Sequence, residues 1–299
     1  MFSYFPALRF KQGEYFACAK LPDEIQQHIF PRFIVPPPKE RDPELARIPT
    51  PDEIAYLTGN RIGKHWPFRP AFLDAQFVAP VLEGDALVRM FEVARTYNPN
   101  LIPVARVSDL TNPVYRELIK TTTPRLGVYV SYEDIDPEAL ISGVQSIGCS
   151  PEQCVIFVDF TGADLEPERA AGSVGFVFDL LGESAPWNRI VFQGSAFPTT
   201  NPAQHGQSIL IPRNENKSFL AGLEDSSVSP DRIGYGDYAA DCGEINFPTK
   251  GRGIAIRHIR YTTPTDTFVV RGNKEGSDDQ IIRNVCQRII ASSHFSGRD

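Results

Sequence analysis

Two aspartates stand where a carboxylate is awkward to place. Asp159 closes the apolar run Cys154-Val-Ile-Phe-Val-Asp159, and Asp237 interrupts Tyr235-Gly-Asp-Tyr238. A carboxylate buried bare is costly, so each needs a partner or a task. If both face one pocket, they could serve as acid and base. The cations that would hold an anionic oxygen beside them are Lys11, Arg106, Arg260 and Arg271, with Asp74, Ser195 and Tyr238 as further ligand contacts. Both signs at one rim suit a phosphate-containing or nucleotide-like small molecule, bound and open to hydrolysis. The competing account is that charged residues at strand ends pair with one another and meet no ligand.

Other reactive residue types are less well placed. Gln193-Gly-Ser195-Ala-Phe lacks the Gly-x-Ser-x-Gly context that exposes a nucleophile, so Ser195 reads as a turn serine or a hydroxyl contact to ligand. The five histidines are isolated and Cys149-x4-Cys154 has no second pair, so no zinc site is signalled. Cys154 reads as buried and Cys149 as facing solvent. A magnesium ion held through water by Asp159 and Asp237 stays open, and no cofactor is assigned. Trp66, in His65-Trp66-Pro-Phe68, is either a cap over a ligand or an ordinary hydrophobic lid.

The elements that must position these groups follow from period and punctuation. Strand runs are predicted at 4–10, 30–35, 71–78, 101–107, 125–131, 154–159, 189–193 and 232–235, separated by helix-like stretches such as the amphipathic 85–97. Asn112-Pro113 and Asp136-Pro137 pair a capping side chain with proline at the first helical position. Residues 205–223 read as a helical crossover. Eight strands with helical crossovers over roughly 250 residues predict a closed (β/α)8 TIM-like barrel, with function at the carboxyl ends of the strands. An open doubly wound sheet would show a Gly-rich first crossover, and none is present. Residues 253–261 and 267–271 predict an extra hairpin, and 278–292 a closing helix. The whole chain, 1–299, is thus one barrel domain with an irregular insertion at 36–70, of which 39–69 reads as a helix plus a long connection, and a basic hairpin at 250–274.

Composition bounds the rest. The 299 residues are 41% hydrophobic and 22% charged, with a formal charge of −7 and five cysteines, which excludes disordered and disulfide-scaffold classes. No apolar run reaches the roughly 18 residues of a membrane span, and the start is unlike a signal peptide. The reading is a cytoplasmic protein with no membrane partner. Residues 151–249 carry 14 acidic and 5 basic side chains, net −9, whereas 250–274 carry 6 basic and 1 acidic, net +5. Extensive nucleic-acid binding does not fit the overall acidity. The alternative to a ligand-binding barrel is a non-catalytic interaction protein that engages a protein partner through 36–70 and the basic hairpin.

Several segments carry a family likeness: Tyr4-Phe-Pro-Ala-Leu-Arg-Phe-Lys-Gln-Gly-Glu14, Tyr235-Gly-Asp-Tyr238, Ile259-Arg-Tyr-Thr262 and Val270-Arg-Gly272. Together they resemble the beta-protein family, known from a tailed bacteriophage and from scattered bacterial genes. The resemblance spans nearly the whole chain. It implies a phage or anti-phage setting beside a nuclease-like partner protein, and supplies no reaction, cofactor or catalytic residue.

Overall fold

The structure is a computed structural model that describes residues 3–37, 42, 44–82, 85–120, 126–245 and 257–297. Lys39 and Arg252, from the segments read as contact surfaces, lie outside the described residues. Eight parallel strands form the barrel: β1 (Ala7–Arg9), β2 (Arg32–Ile34), β3 (Ala71–Asp74), β4 (Leu101–Arg106), β5 (Leu126–Ser131), β6 (Cys154–Asp159), β7 (Arg189–Gln193) and, after an antiparallel β8 (Ser208–Pro212), β9 (Ile233–Gly236). The ring is nearly closed. Phe5 N–H donates to Tyr235 O at 2.8 Å and Ala7 N–H to Asp237 O at 2.8 Å, which brings the first strand beside the last.

Helices α1 (Gln12–Lys20), α2 (Asp23–Gln26), α3 (Pro51–His65), α4 (Ala86–Tyr97), α5 (Pro113–Lys120), α6 (Pro137–Ser146), α7 (Pro167–Ser184) and α8 (Asn214–Asp225) connect the strands. Their starts are chemical. Asp136 accepts from Glu138 N and Ala139 N ahead of α6, and Thr50 and Glu53 form a reciprocal capping box ahead of α3. Of the segment read as an irregular insertion, 51–65 is this regular helix, packed on α4. The strand read over 71–78 ends at Asp74, because the Asp74 carboxylate accepts Gln76 N–H at 3.0 Å and turns the chain.

Side chains alternate between two buried faces. One set, including Leu73, Ile156, Phe192 and Tyr235, packs outward against the helices. The other, Phe5, Phe72, Ile102, Val104, Val155, Phe157 and Val191, fills the lumen. A second sheet, in the order β10 (His258–Thr262), β11 (Asp266–Arg271), β8, lies under the closing helix α9 (Asp278–Ile290). The helical reading of 205–223 is therefore half right. Ser208-Ile-Leu-Ile-Pro212 adds a third strand to the predicted hairpin through its register with 266–270, and α8 begins only at Asn214.

Candidate functional site

Strand phase decides which charged groups meet. Asp159 ends β6 on the lumen face, two residues beyond Phe157. Its Oδ1 accepts from Thr161 N–H at 3.0 Å, Thr161 Oγ1 at 2.7 Å and Tyr238 Oη at 3.0 Å, while Tyr129 Oη donates to Oδ2. Strands β5 and β6 and the segment after β9 thus converge on one carboxylate at the barrel mouth.

Behind it lies Arg32. This arginine interrupts the apolar run of β2, is 0% exposed, and has no hydrogen-bond partner for Nε, Nη1 or Nη2 among the described residues. Its guanidinium sits 4.5 Å from the Tyr129 ring centroid, and Nη1 stands 3.8 Å from Asp74 Oδ2. Burial pulls the Arg32 pKa down, but Asp74, with Tyr238, Tyr129 and Asp159, outweighs it and leaves the cation firmly charged. Asp74, 2% exposed, has its own pKa raised by burial against the opposing pull of Arg32. Gln193 Oε1 is also buried without a donor, while its Nε2 donates to Asp237 O at 2.9 Å. Buried polar atoms are normally satisfied, so donors and an acceptor left open at one end of a barrel are unusual.

Asp237 does not join Asp159. Along β9 the lumen face belongs to glycine: a Cβ at Gly234 would come within 2.6 Å of the Phe5 ring, and one at Gly236 within 3.0 Å of Gln193 Nε2. Tyr235 and Asp237 therefore point outward. The Asp237 carboxylate accepts from Tyr4 Oη at 2.6 Å, Ala239 N–H at 2.9 Å, and Arg213 Nη2 and Tyr235 Oη at 3.3 Å each. Burial and then Asp237 push the Tyr4 and Tyr235 phenols well above their ordinary pKa. This cluster lines an open cleft of about 460 Å³ between the barrel wall and α8. With the two aspartates on opposite faces of the wall, the paired acid and base, and the shared magnesium, lose their geometry. Among the described residues no three His, Cys, Asp or Glu side chains converge as a metal set.

The segment after β9 straps the mouth. Asp241 pairs with Arg9 at 3.1 Å and with Arg260 at 2.6 Å, its carbonyl accepts Ser195 Oγ at 2.6 Å, and a Cβ on Gly243 would collide with Thr161 Oγ1. Ser195 also accepts Phe197 N–H at 3.1 Å, the bonding of a turn serine. Ala239 and Ala240 both take left-handed φ, 51° and 59°, which costs roughly 1–2 kcal/mol per residue. Strain of this kind gathers at functional sites. Glu14, near Arg9 and Asp241, is pushed up to about 8 by burial, against the pull of Arg9.

Other sequence candidates scatter. Arg106 reaches from β4 to Gln76 Oε1 at 2.8 Å, on the same rim, and Lys11 precedes α1 there. Arg271 instead donates to Ala203 O at 2.9 Å and contacts His205, both from the segment before β8. Arg257 pairs with Asp278 at 2.8 Å, so the described part of the basic hairpin is tied internally. Trp66 is buried against Phe33 at the exit of α3, at the amino end of the barrel and away from the mouth. Cys149 is buried, not solvent-facing, because its segment turns back under α6 through Cys149 N–H to Val144 O. Sequence reasoning passed over Arg32, whose only signal was a cation inside Phe30-Pro-Arg32-Phe-Ile-Val35.

Among solved structures, the catalytic module of a family 98 glycoside hydrolase from Streptococcus pneumoniae, in complex with the LewisY pentasaccharide, is 10% identical with a TM-score of 0.40, over 80% of this chain and 47% of that one. The carboxyl transferase domain of pyruvate carboxylase from Rhizobium etli is 12% identical with a TM-score of 0.32, over 61% and 36%. The chain spans about half of the first and about a third of the second. No curated protein matches, and no helix among the described residues is long and apolar enough to cross a membrane. A family model described as Beta protein matches residues 4–299.

Proposed function

The chain belongs to the Beta protein family, and we propose that it binds a phosphate-containing, nucleotide-like small molecule at the carboxyl end of its barrel. The observation that carries this reading is Arg32, a fully buried cation with no hydrogen-bond acceptor among the described residues, its facing carboxylate oxygen, Asp74 Oδ2, standing off at 3.8 Å. An anionic oxygen supplies what the fold withholds, and charge-assisted bonds to guanidinium are the strong ones. Arg106 lies at the entrance, bonded to the neutral Gln76, and Arg9 and Arg260 flank it on either side of Asp241. Asp159, held by Tyr129, Thr161 and Tyr238, is the carboxylate that would orient a ligand hydroxyl or an attacking water. Arg32 is 0% exposed, so a ligand reaches it only if side chains at the mouth move, and Tyr238 with the segment after β9 is the part we propose moves. The phage or anti-phage setting implied by the family likeness is the setting we propose for this ligand. Of the basic hairpin that would serve the interaction-protein alternative, Arg257 and Arg271 bond within the chain.

Thermal unfolding with inorganic phosphate, pyrophosphate and a nucleotide panel tests the proposal. A ligand at about a hundredfold excess over its Kd stabilises by roughly 2.7 kcal/mol, a rise of several degrees. Arg106→Ala should weaken the response while the protein stays folded. Should no phosphate-bearing compound raise the melting temperature, the reading fails.

A further inference from the structure

The amino-terminal end of the barrel, opposite the mouth, holds an open pocket of about 120 Å³. Barrel interiors are normally packed by layers of side chains, and this end is ordinarily devoted to stability. Here the walls are aromatic: Phe5 stacks on Phe30 at 5.2 Å and meets Phe72 at 6.1 Å. Aliphatic side chains such as Ile102 and Val155 add to the lining, with three polar ones, Gln153, Asn188 and Arg189.

Arg189 is the informative member. It is half-buried, and its guanidinium lies 5.9 Å from the Phe5 ring centroid. Among the described residues it makes no ion pair, and its one hydrogen bond, to Ile233 O, is stretched to 3.5 Å. Burial lowers its pKa, with only the distant charge of Asp231 opposing. The other described arginines named above, apart from Arg32 with its carboxylate at 3.8 Å, bond a carboxylate, a carbonyl or a side-chain amide oxygen at 3.3 Å or less. A half-buried cation beside this chamber thus has no anionic partner among the described residues.

We infer that this cavity is a second small-molecule site, selective for a compact aromatic carboxylate of benzoate size, with the ring among Phe5, Phe30 and Phe72 and the carboxylate on Arg189. At about 120 Å³ the chamber is close to the roughly 150 Å³ of an apolar cavity that accepts benzene, so it takes the ring while the carboxylate lies at its open edge on Arg189. Carboxylate matches the planar guanidinium fork in two parallel bonds, with the Gln153 and Asn188 amides beside it. The inference is independent of the phosphate reading, because the two sites occupy opposite ends of the barrel.

Benzoate and benzene titrations, followed by thermal unfolding and by NMR of the intact protein, test it. A fragment this small binds with a Kd of about 1 mM. Wild type should show saturable stabilisation by benzoate, with resonance shifts near Phe5 and Phe72. Arg189→Met should lose about tenfold in benzoate affinity and keep its benzene response. Ile102→Phe, which fills the chamber, should lose both. The inference is overturned if wild type shows no saturable benzoate response, if Arg189→Met binds benzoate as well as wild type does, or if benzoate shifts resonances only at the barrel mouth. Should Ile102→Phe fail to fold, the Arg189→Met comparison still decides.

Discussion

Arg32→Met removes a guanidinium that is wholly enclosed and strands the carboxylate facing it, so its stability has a sign that can be worked out. Three contributions compete. Relief comes from no longer burying donors without acceptors, about 3 kcal/mol if one or two of them count in full. Against this, the stacked contact with Tyr129 at 4.5 Å is lost, about 2 kcal/mol when desolvated. Among the described residues Asp74 is then left buried with only Gln76 N and Nε2 as donors, and an uncompensated charge of this kind costs about 3–5 kcal/mol. The losses win, and the variant should be about 2–4 kcal/mol less stable than wild type near neutral pH. The penalty must depend on pH. Burial already raises the Asp74 pKa, and removing Arg32, which pulls it down, raises it further. An acid with a folded pKa above its unfolded one favours folding when protonated, so its contribution is most favourable below the unfolded pKa and is lost as pH climbs through the folded value. Urea unfolding followed by circular dichroism should therefore show a smaller deficit at about pH 5 than at about pH 8. Arg32→Met with Asp74→Asn should return to within about 1 kcal/mol of wild type. An equal deficit at both pH values, with no recovery in the double variant, would refute this account of the buried pair.

Gly234→Ala should cost about 1–3 kcal/mol, because its Cβ would meet the Phe5 ring at 2.6 Å, and the urea midpoint measures this directly. Ala240→Gly relieves a left-handed alanine and should gain about 0.5–1 kcal/mol in the same assay, with no gain showing that φ is not strained there. Burial pushes Glu14 up to about 8, so its contribution favours folding at low pH and is lost as pH rises toward that value; Glu14→Gln should flatten the stability profile between about pH 5 and pH 9. Tyr129→Phe deletes one donor to Asp159 and should cost about 1–3 kcal/mol.

The barrel was legible because strands such as 101–106 and 154–159 are apolar on both faces and their helices carry chemical start signals at Asp136-Pro137 and Asn112-Pro113. Ser208–Pro212 was missed because it is a short edge strand with alternating exposure, lying beside residues that do form a helix. The candidate site was harder to read. When both faces of a strand are buried, alternation cannot say which side is the lumen, and in Ile233-Gly-Tyr235-Gly236 the inward positions have no side chain at all. The sequence therefore leaves open whether Asp237 shares a face with Asp159, and the assembled barrel separates them. Arg32 escaped notice because one cation inside an apolar run leaves the strand pattern intact, and its isolation becomes visible only once its surroundings are assembled.

The join between residues 4–7 and 235–237 carries a kinetic implication. It unites stretches separated by most of the polypeptide, so the entropy of closing that span must be met before the join contributes anything. The ring should therefore zip there last during folding and fray there first under stress. The Phe5 and Ala7 amides should exchange with deuterium sooner than their counterparts in the centre of β6. Asp237, which takes part in this seam through its carbonyl and receives Tyr4 on its carboxylate, would sense the opening from both sides.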